Sequence, residues 1–285
     1  MEAHGTERRT MTYCVGIEVD QGLIFAADTR TSGSFDDVRV HRKMHTFEFP
    51  GERVLVIMSA GNLATTQLTI SRLQRDAEKG GSARNLRNLP HLIDIAEYVG
   101  ETLVGSQQKA AQSTQQDGVN VASTLILGGQ VKGERPGLYL IYPLGNCIAS
   151  SLETPYLQIG ESKYGKPILD RILRPTTSLE DAARCALVSL DSTIRSNLSV
   201  GMPIDMALVR TNELKISQQL RLEADTPLYA EIHDTWSRKL EAAIHSLPTF
   251  PWEPARPREE PLASVAAPAR RPAARPHEAA QASQQ

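Results

Sequence analysis

Apolar and polar positions alternate along residues 13–19, with Tyr13, Val15, Ile17 and Val19 on one side of a strand and Cys14, Gly16 and Glu18 on the other. Asp20-Gln21-Gly22 supplies a turn, where glycine takes positive φ without a Cβ clash. Residues 23–27 are an apolar run ending at Asp28, so this first hairpin brings Asp28 back towards Thr12. A loop rich in Thr, Ser, Gly and Asp follows at 29–37, and residues 43–49 and 53–59 read as a second hairpin across Pro50-Gly51-Glu52. Gly61-Asn62 opens a helix, with Asn62 as N-cap and Leu63, Leu68, Ile70 and Leu73 as its apolar positions. A second helix is predicted over 92–112. Strands return at 122–128, 138–142, 147–150 and 156–159, then helices at 163–173 and 179–196. Strands at 205–210 and 215–222 and a helix at 228–246 close the pattern.

Strands in pairs across tight turns imply antiparallel sheets, and helix pairs between them imply helical layers outside those sheets. The order does not alternate strand and helix, which disfavours a parallel dinucleotide-binding sheet. No G-x-G-x-x-G after a strand and no G-x-x-x-x-G-K-[ST] occurs, so nucleotide binding has no support. Three zones are expected: a polar segment 1–11 without periodicity, a patterned domain 12–252, and a tail 253–285 rich in Pro, Ala, Arg and Gln. The tail has too few large aliphatic residues to offset chain entropy and is expected to be disordered.

Charge and composition narrow the function. Lys+Arg 31 against Asp+Glu 33 leaves a net charge of -2, with no general pull on nucleic acid or anionic lipid. Residues 54–58, the longest apolar run, fall far short of the roughly 20 that a membrane helix needs. The N-terminus lacks the apolar stretch of a secretory signal. Cys14, Cys147 and Cys185 are odd in number with no C-x-x-C, which fits a reducing cytoplasm and buried thiols rather than disulfides. His41 and His45 lie four apart but have no evident third ligand, so no metal is expected, nor any organic cofactor.

One polar set remains: Thr12 at the start of the first strand, Asp28 at the end of the second, Lys43 at the start of the third, and Gly61 where the fourth hands over to a helix. Hairpin geometry can bring all four to one end of a sheet. A threonine hydroxyl is a weak nucleophile and needs a base beside it. Were Thr12 the first residue of the mature chain, its α-amine could be that base, since such amines titrate near 8. The Lys43 ammonium would lower that value by like-charge repulsion, and Asp28 would keep the lysine charged and oriented. The Gly61 N–H, at a helix N-terminus, could face the oxyanion of a tetrahedral intermediate.

The stretch from Met11-Thr12-Tyr13-Cys14-Val15-Gly16 through Ala27-Asp28-Thr29-Arg30 resembles the start of proteasome-type β subunits, N-terminal-nucleophile hydrolases with a threonine nucleophile. Residues 58–64, around Gly61, are similar to that family's glycine turn into its first helix. Residues 191–201 resemble the segment with a second supporting aspartate, which the resemblance assigns to Asp191. Within the family, the start and the 191–201 block look most like the bacterial Anbu (ancestral beta subunit) group. The resemblance covers residues 12–246. It implies an αββα sandwich of two antiparallel sheets between helix layers. It also implies peptide-bond hydrolysis through an acyl-enzyme on Thr12, and self-assembly of like subunits into a ring or spiral.

Departures are visible too. Lys43 follows Asp28 by fifteen positions, one fewer than is typical of the family. Ile194 stands where a serine usually follows the later aspartate, leaving Ser192, Thr193 and Ser196 as alternatives. Gly128-Gly129 is the nearest match to the family's glycine-rich serine segment, though it reads more readily as a strand-end turn. Thr12 could be exposed by Met removal from a start at Met11, or by cleavage of 1–11 as a propeptide. The expectation is a cytoplasmic threonine peptidase acting on peptides or unfolded protein. A non-catalytic scaffold subunit and an amidase for a small amide are the rivals.

Overall fold

In the computed structural model, residues 12–32, 38–79, 83–113 and 119–253 are described. The expected propeptide segment 1–11 and the tail beyond residue 253 lie outside them. By internal contacts the chain divides into a unit ending at Leu240 and another beginning at Glu241. The first holds every strand and all but the last turn or so of the final helix.

The strands are β1 (Tyr13–Val19), β2 (Gly22–Asp28), β3 (Arg30–Ser32), β4 (Val38–Val40), β5 (Met44–Phe49), β6 (Arg53–Gly61), β7 (Ser123–Val131), β8 (Gly137–Ile141), β9 (Cys147–Ala149), β10 (Tyr156–Gly160), β11 (Ile204–Arg210) and β12 (Gln218–Leu222). The helices are α1 (Leu63–Lys79), α2 (Leu92–Ser113), α3 (Lys166–Ile172), α4 (Leu179–Ser196) and α5 (Pro227–His245). One five-stranded sheet runs β10-β1-β2-β11-β12 and the other β5-β6-β7-β8-β9, with every neighbouring pair antiparallel. Part of the predicted loop at 29–37 is instead strand, because β3 and β4 pair as a short ribbon.

Strand alternation explains the layers. In β2, Ile24 and Ala26 join a core with Leu179, Ala182, Ala186 and Leu190 of α4, while Leu23, Phe25 and Ala27 face the other way. There they meet Val54, Val56 and Met58 of β6, and Ile126 of β7, between the two sheets. Leu55 and Ile57 of β6 turn outward onto Ile70 and Leu73 of α1 and Ile95, Val99 and Leu103 of α2. Helix, sheet, sheet and helix thus form an αββα sandwich, and strands covered on both faces are apolar throughout. Leu23, Ile24, Phe25, Leu55 and Ile57 are all wholly buried, each stabilising the fold by about 1.5–3 kcal/mol relative to exposure.

Gly128-Gly129 corrects an expectation. It is no strand-end turn but lies within β7. A Cβ at Gly128 would stand 2.4 Å from Leu138 and 2.6 Å from Phe25, so its bareness lets the facing sheets close. Among the described residues, no helix is long and apolar enough to cross a membrane.

Candidate active site

Thr12 immediately precedes β1 and is almost wholly buried, and β1 pairs with β2 so that Cys14 lies opposite Ala27. One rung on, the Tyr13 N–H donates to Asp28 Oδ1 at 3.0 Å. Lys43, one residue before β5, donates its ammonium to the same Oδ1 at 2.7 Å and to the Arg30 carbonyl at 2.6 Å. The Gly201 N–H reaches Asp28 Oδ2 at 3.3 Å. Asp28 is 0% exposed and Lys43 6%, so the ion pair is shielded from solvent. Burial pushes the Asp28 carboxyl above the ordinary carboxylate range, opposed by Lys43 and by the N–H groups of Tyr13 and Gly201. Burial also pushes the Cys14 thiol far up, which leaves it a neutral, inert neighbour.

Gly61 is the last residue of β6, at φ +115°, which favours glycine. A Cβ there would lie 2.5 Å from the Ala122 carbonyl oxygen. Two residues earlier, the Ser59 N–H bonds the Lys43 carbonyl at 3.0 Å, so β6 carries Gly61 past the lysine. Asn62 Oδ1 accepts from the Thr65 N–H at 3.1 Å, which makes it the N-cap predicted for α1.

The structure also brings in residues that sequence reasoning missed. The Glu161 N–H donates to the Thr12 carbonyl at 2.7 Å. Gly160 precedes it at φ +84°, and a Cβ there would stand 1.9 Å from the Thr12 carbonyl oxygen. Asn197 Nδ2 donates to Glu161 Oε2 at 3.1 Å, while Asn197 Oδ1 accepts from the Ser199 N–H at 3.0 Å and its hydroxyl at 2.5 Å. Arg30 donates to the Leu198 carbonyl at 2.7 Å and packs against Gly201, where a Cβ would be 2.6 Å from the guanidinium carbon. The segment after α4 is thereby held over Asp28. The signal for Gly160-Glu161 was a glycine just past a predicted strand, a pattern too common to single out.

Asp191 is engaged elsewhere. It lies within α4, and its Oδ1 is bonded to the Tyr229 hydroxyl at 2.7 Å and to His233 Nδ1 at 2.7 Å, both on α5. No hydrogen bond among the described residues ties it to Thr12, Asp28 or Lys43. Of the three alternatives for the family serine, Thr193 gives its hydroxyl to the Ser189 carbonyl at 2.8 Å within the helix. Ser196 is exposed, and Ile194 packs against the α-helical side of the core.

The buried Lys43–Asp28 pair thus lies one residue along the strand from Thr12, through the Tyr13 N–H. The family model described as "Proteasome subunit" matches residues 9–209, and the chain belongs to the proteasome-subunit family. Its likeness to solved Anbu structures is strong. Anbu (ancestral beta-subunit) from Yersinia bercovieri is 44% identical at a TM-score of 0.79, covering 84% of this chain and 99% of that one. The Anbu complex from Pseudomonas aeruginosa, a helical assembly, gives 44% identity and a TM-score of 0.79 over 85% of this chain and 99% of that one. A proteasome subunit beta from Haloferax volcanii is 27% identical over 222 residues, 76% of this chain and 81% of its own length.

Proposed function

We propose that the chain is a threonine peptidase that hydrolyses peptide bonds once Thr12 is its first residue. The observation that carries this reading is the buried Asp28–Lys43 pair at 2.7 Å, one rung from Thr12. Burying two charges is costly, and a subunit with only a packing role has no use for it. The Thr12 α-amine takes the hydroxyl proton as the oxygen attacks the scissile carbonyl carbon, forming a tetrahedral intermediate. Lys43 favours the developing alkoxide and keeps the amine neutral at working pH, and Asp28 fixes the lysine. The Gly61 N–H takes the oxyanion. The α-ammonium then protonates the leaving amine, and water releases the acyl group from Thr12 by the reverse sequence. No metal or organic cofactor enters these steps.

Asp191, held by Tyr229 and His233, is read as tying α5 to α4, and Asn197 and Ser199 as the groups that hold the side chain of Glu161, whose N–H bonds the Thr12 carbonyl. The Pseudomonas aeruginosa relative's helical assembly supports self-assembly of like subunits, as a ring or spiral, here too. The proposal takes peptides or unfolded protein as the substrate and the cytoplasm as the location.

The test is intact mass together with hydrolysis of a fluorogenic peptide library. A chain starting at Thr12 that cleaves peptides, and a Thr12→Ala variant reduced at least about a thousandfold, are the expected results. Full activity in Thr12→Ala would overturn the reading. A Thr12-terminal chain that assembles but cleaves nothing would favour a scaffold subunit.

A further inference from the structure

The mechanism leaves one acidic side chain near Thr12 unused. Tyr13 pairs with Gly160 where β1 and β10 end, and just beyond it the Glu161 N–H donates to the Thr12 carbonyl at 2.7 Å, so the two residues lie side by side. The Glu161 carboxylate is half-buried and accepts from Asn197 Nδ2 at 3.1 Å. Asn197 is a neutral amide, so this bond orients the carboxylate without cancelling its charge. Asn197 is held in turn by Ser199 at 2.5 Å, in the segment whose Gly201 N–H contacts Asp28.

Among the described residues, the charged and titratable groups on the elements about Thr12 are few. Cys14 on β1 is neutral through burial. Asp28 on β2 and Lys43 before β5 are committed to each other at 2.7 Å. Arg30 on β3 is turned onto the Leu198 carbonyl. Lys163 after β10 and Arg195 in the last turn of α4 are exposed. Tyr13 points to the opposite face, where it meets Ser189 and Gln158. Among the described residues, Glu161 is therefore the oriented anion with no bonded cation beside the position that the mature N-terminus takes.

We propose that Glu161 is a positioning residue for the Thr12 α-amine: its carboxylate orients the amine and sets the pH at which that amine turns from ammonium to base. This rests on the reading of Thr12 as the mature N-terminus. Two opposed influences then act on one group. Lys43 favours the neutral amine that accepts the hydroxyl proton. Glu161 favours the ammonium that carries the proton until the leaving amine nitrogen takes it. An oriented anion beside a charge that appears only during the reaction stabilises it without solvent reorganisation.

The experiment uses chains whose intact mass begins at Thr12, as wild type and Glu161→Gln. The α-amine is titrated by competitive acetylation with acetic anhydride across pH, read by mass spectrometry of the N-terminal peptide. In parallel, kcat and KM are measured against pH on a fluorogenic peptide. Glu161→Gln is expected to move the acetylation midpoint and the acid limb of kcat/KM down by about one pH unit, the lower end for loss of a neighbouring opposite charge. The optimum kcat falls while KM holds. Glu161→Asp keeps the charge and is expected to keep the midpoint near wild type.

Midpoints for wild type and Glu161→Gln that coincide would overturn the proposal. Should Glu161→Gln fail to fold, Asn197→Ala is read instead, with a smaller shift in the same direction expected and none overturning the proposal. A midpoint that moves in a chain that cleaves no peptide would uphold the Glu161 pairing and sink the peptidase reading, so the two fail separately.

Discussion

Replacing Lys43 with methionine keeps most of the stem's volume and removes the charge. Asp28 is 0% exposed and would lose the shortest of its hydrogen bonds, the one at 2.7 Å, keeping the Tyr13 N–H at 3.0 Å and the Gly201 N–H at 3.3 Å. Breaking a buried pair from one side costs about 3–5 kcal/mol. The two remaining N–H donors, and the option of protonating Asp28, argue for about 3 kcal/mol at neutral pH. The loss should depend on pH in a definite sense. Burial already holds the folded Asp28 pKa above its unfolded value, so only between those two values does the folded chain keep a proton that the unfolded chain has released. The stability from that group is complete below the unfolded value and is lost as pH rises through the folded one. Without Lys43 the folded value climbs further, and the window widens upward. The deficit of Lys43→Met against wild type therefore grows with pH, by about 1.4 kcal/mol per unit inside the window. Urea unfolding at pH 5.5 and pH 8, followed by tryptophan fluorescence at matched protomer concentration, measures both deficits. A deficit below about 1 kcal/mol at pH 8, the range of exposed ion pairs, would refute the reasoning. So would a larger deficit that is the same at both pH values.

Gly160→Ala places a Cβ 1.9 Å from the Thr12 carbonyl oxygen at φ +84°. It should cost about 1–3 kcal/mol in strain and, by displacing Thr12, lower kcat/KM about a hundredfold, as unfolding and peptide kinetics would read. Arg30→Ala removes the 2.7 Å bond to the Leu198 carbonyl. Unfolding should show a loss of about 1–2 kcal/mol, and peptide kinetics a fall in kcat with little change in KM, because the segment over Asp28 loosens. His233→Ala leaves Asp191 with Tyr229 alone. Thermal unfolding should register a cost of about 1–2 kcal/mol with peptide hydrolysis unchanged, whereas a collapse of activity would return Asp191 to the catalytic set.

The layers were legible because their signals are local. Alternation in β1, the turn at residues 20–22 and the apolar run of β2 are readable within a few residues, and they bring Asp28 beside Thr12 by counting alone. Lys43 and Gly61 follow from the next hairpin in the same way. The short ribbon of β3 and β4 was not legible, since three residues are too few to show a periodic trace. Gly128-Gly129 reads like punctuation, because what demands glycine there is distant in sequence: Leu138 and Phe25 against Gly128, and the Val54 carbonyl against Gly129.

Thr12, Asp28, Lys43 and Gly61 were thus determined by the chain's own pattern, each at a strand end whose position depends on neighbours close in sequence. Which later residues reach them was decided only by the tertiary structure. Glu161 meets Thr12 because β10 crosses back to pair with β1. Asn197, rather than Asp191, comes to Glu161 because α4 carries Asp191 onto α5 and lets go of the chain only after Ser196. Hydrophobic periodicity specifies a strand or a helix. It carries no information on which two distant ends the packed layers set side by side.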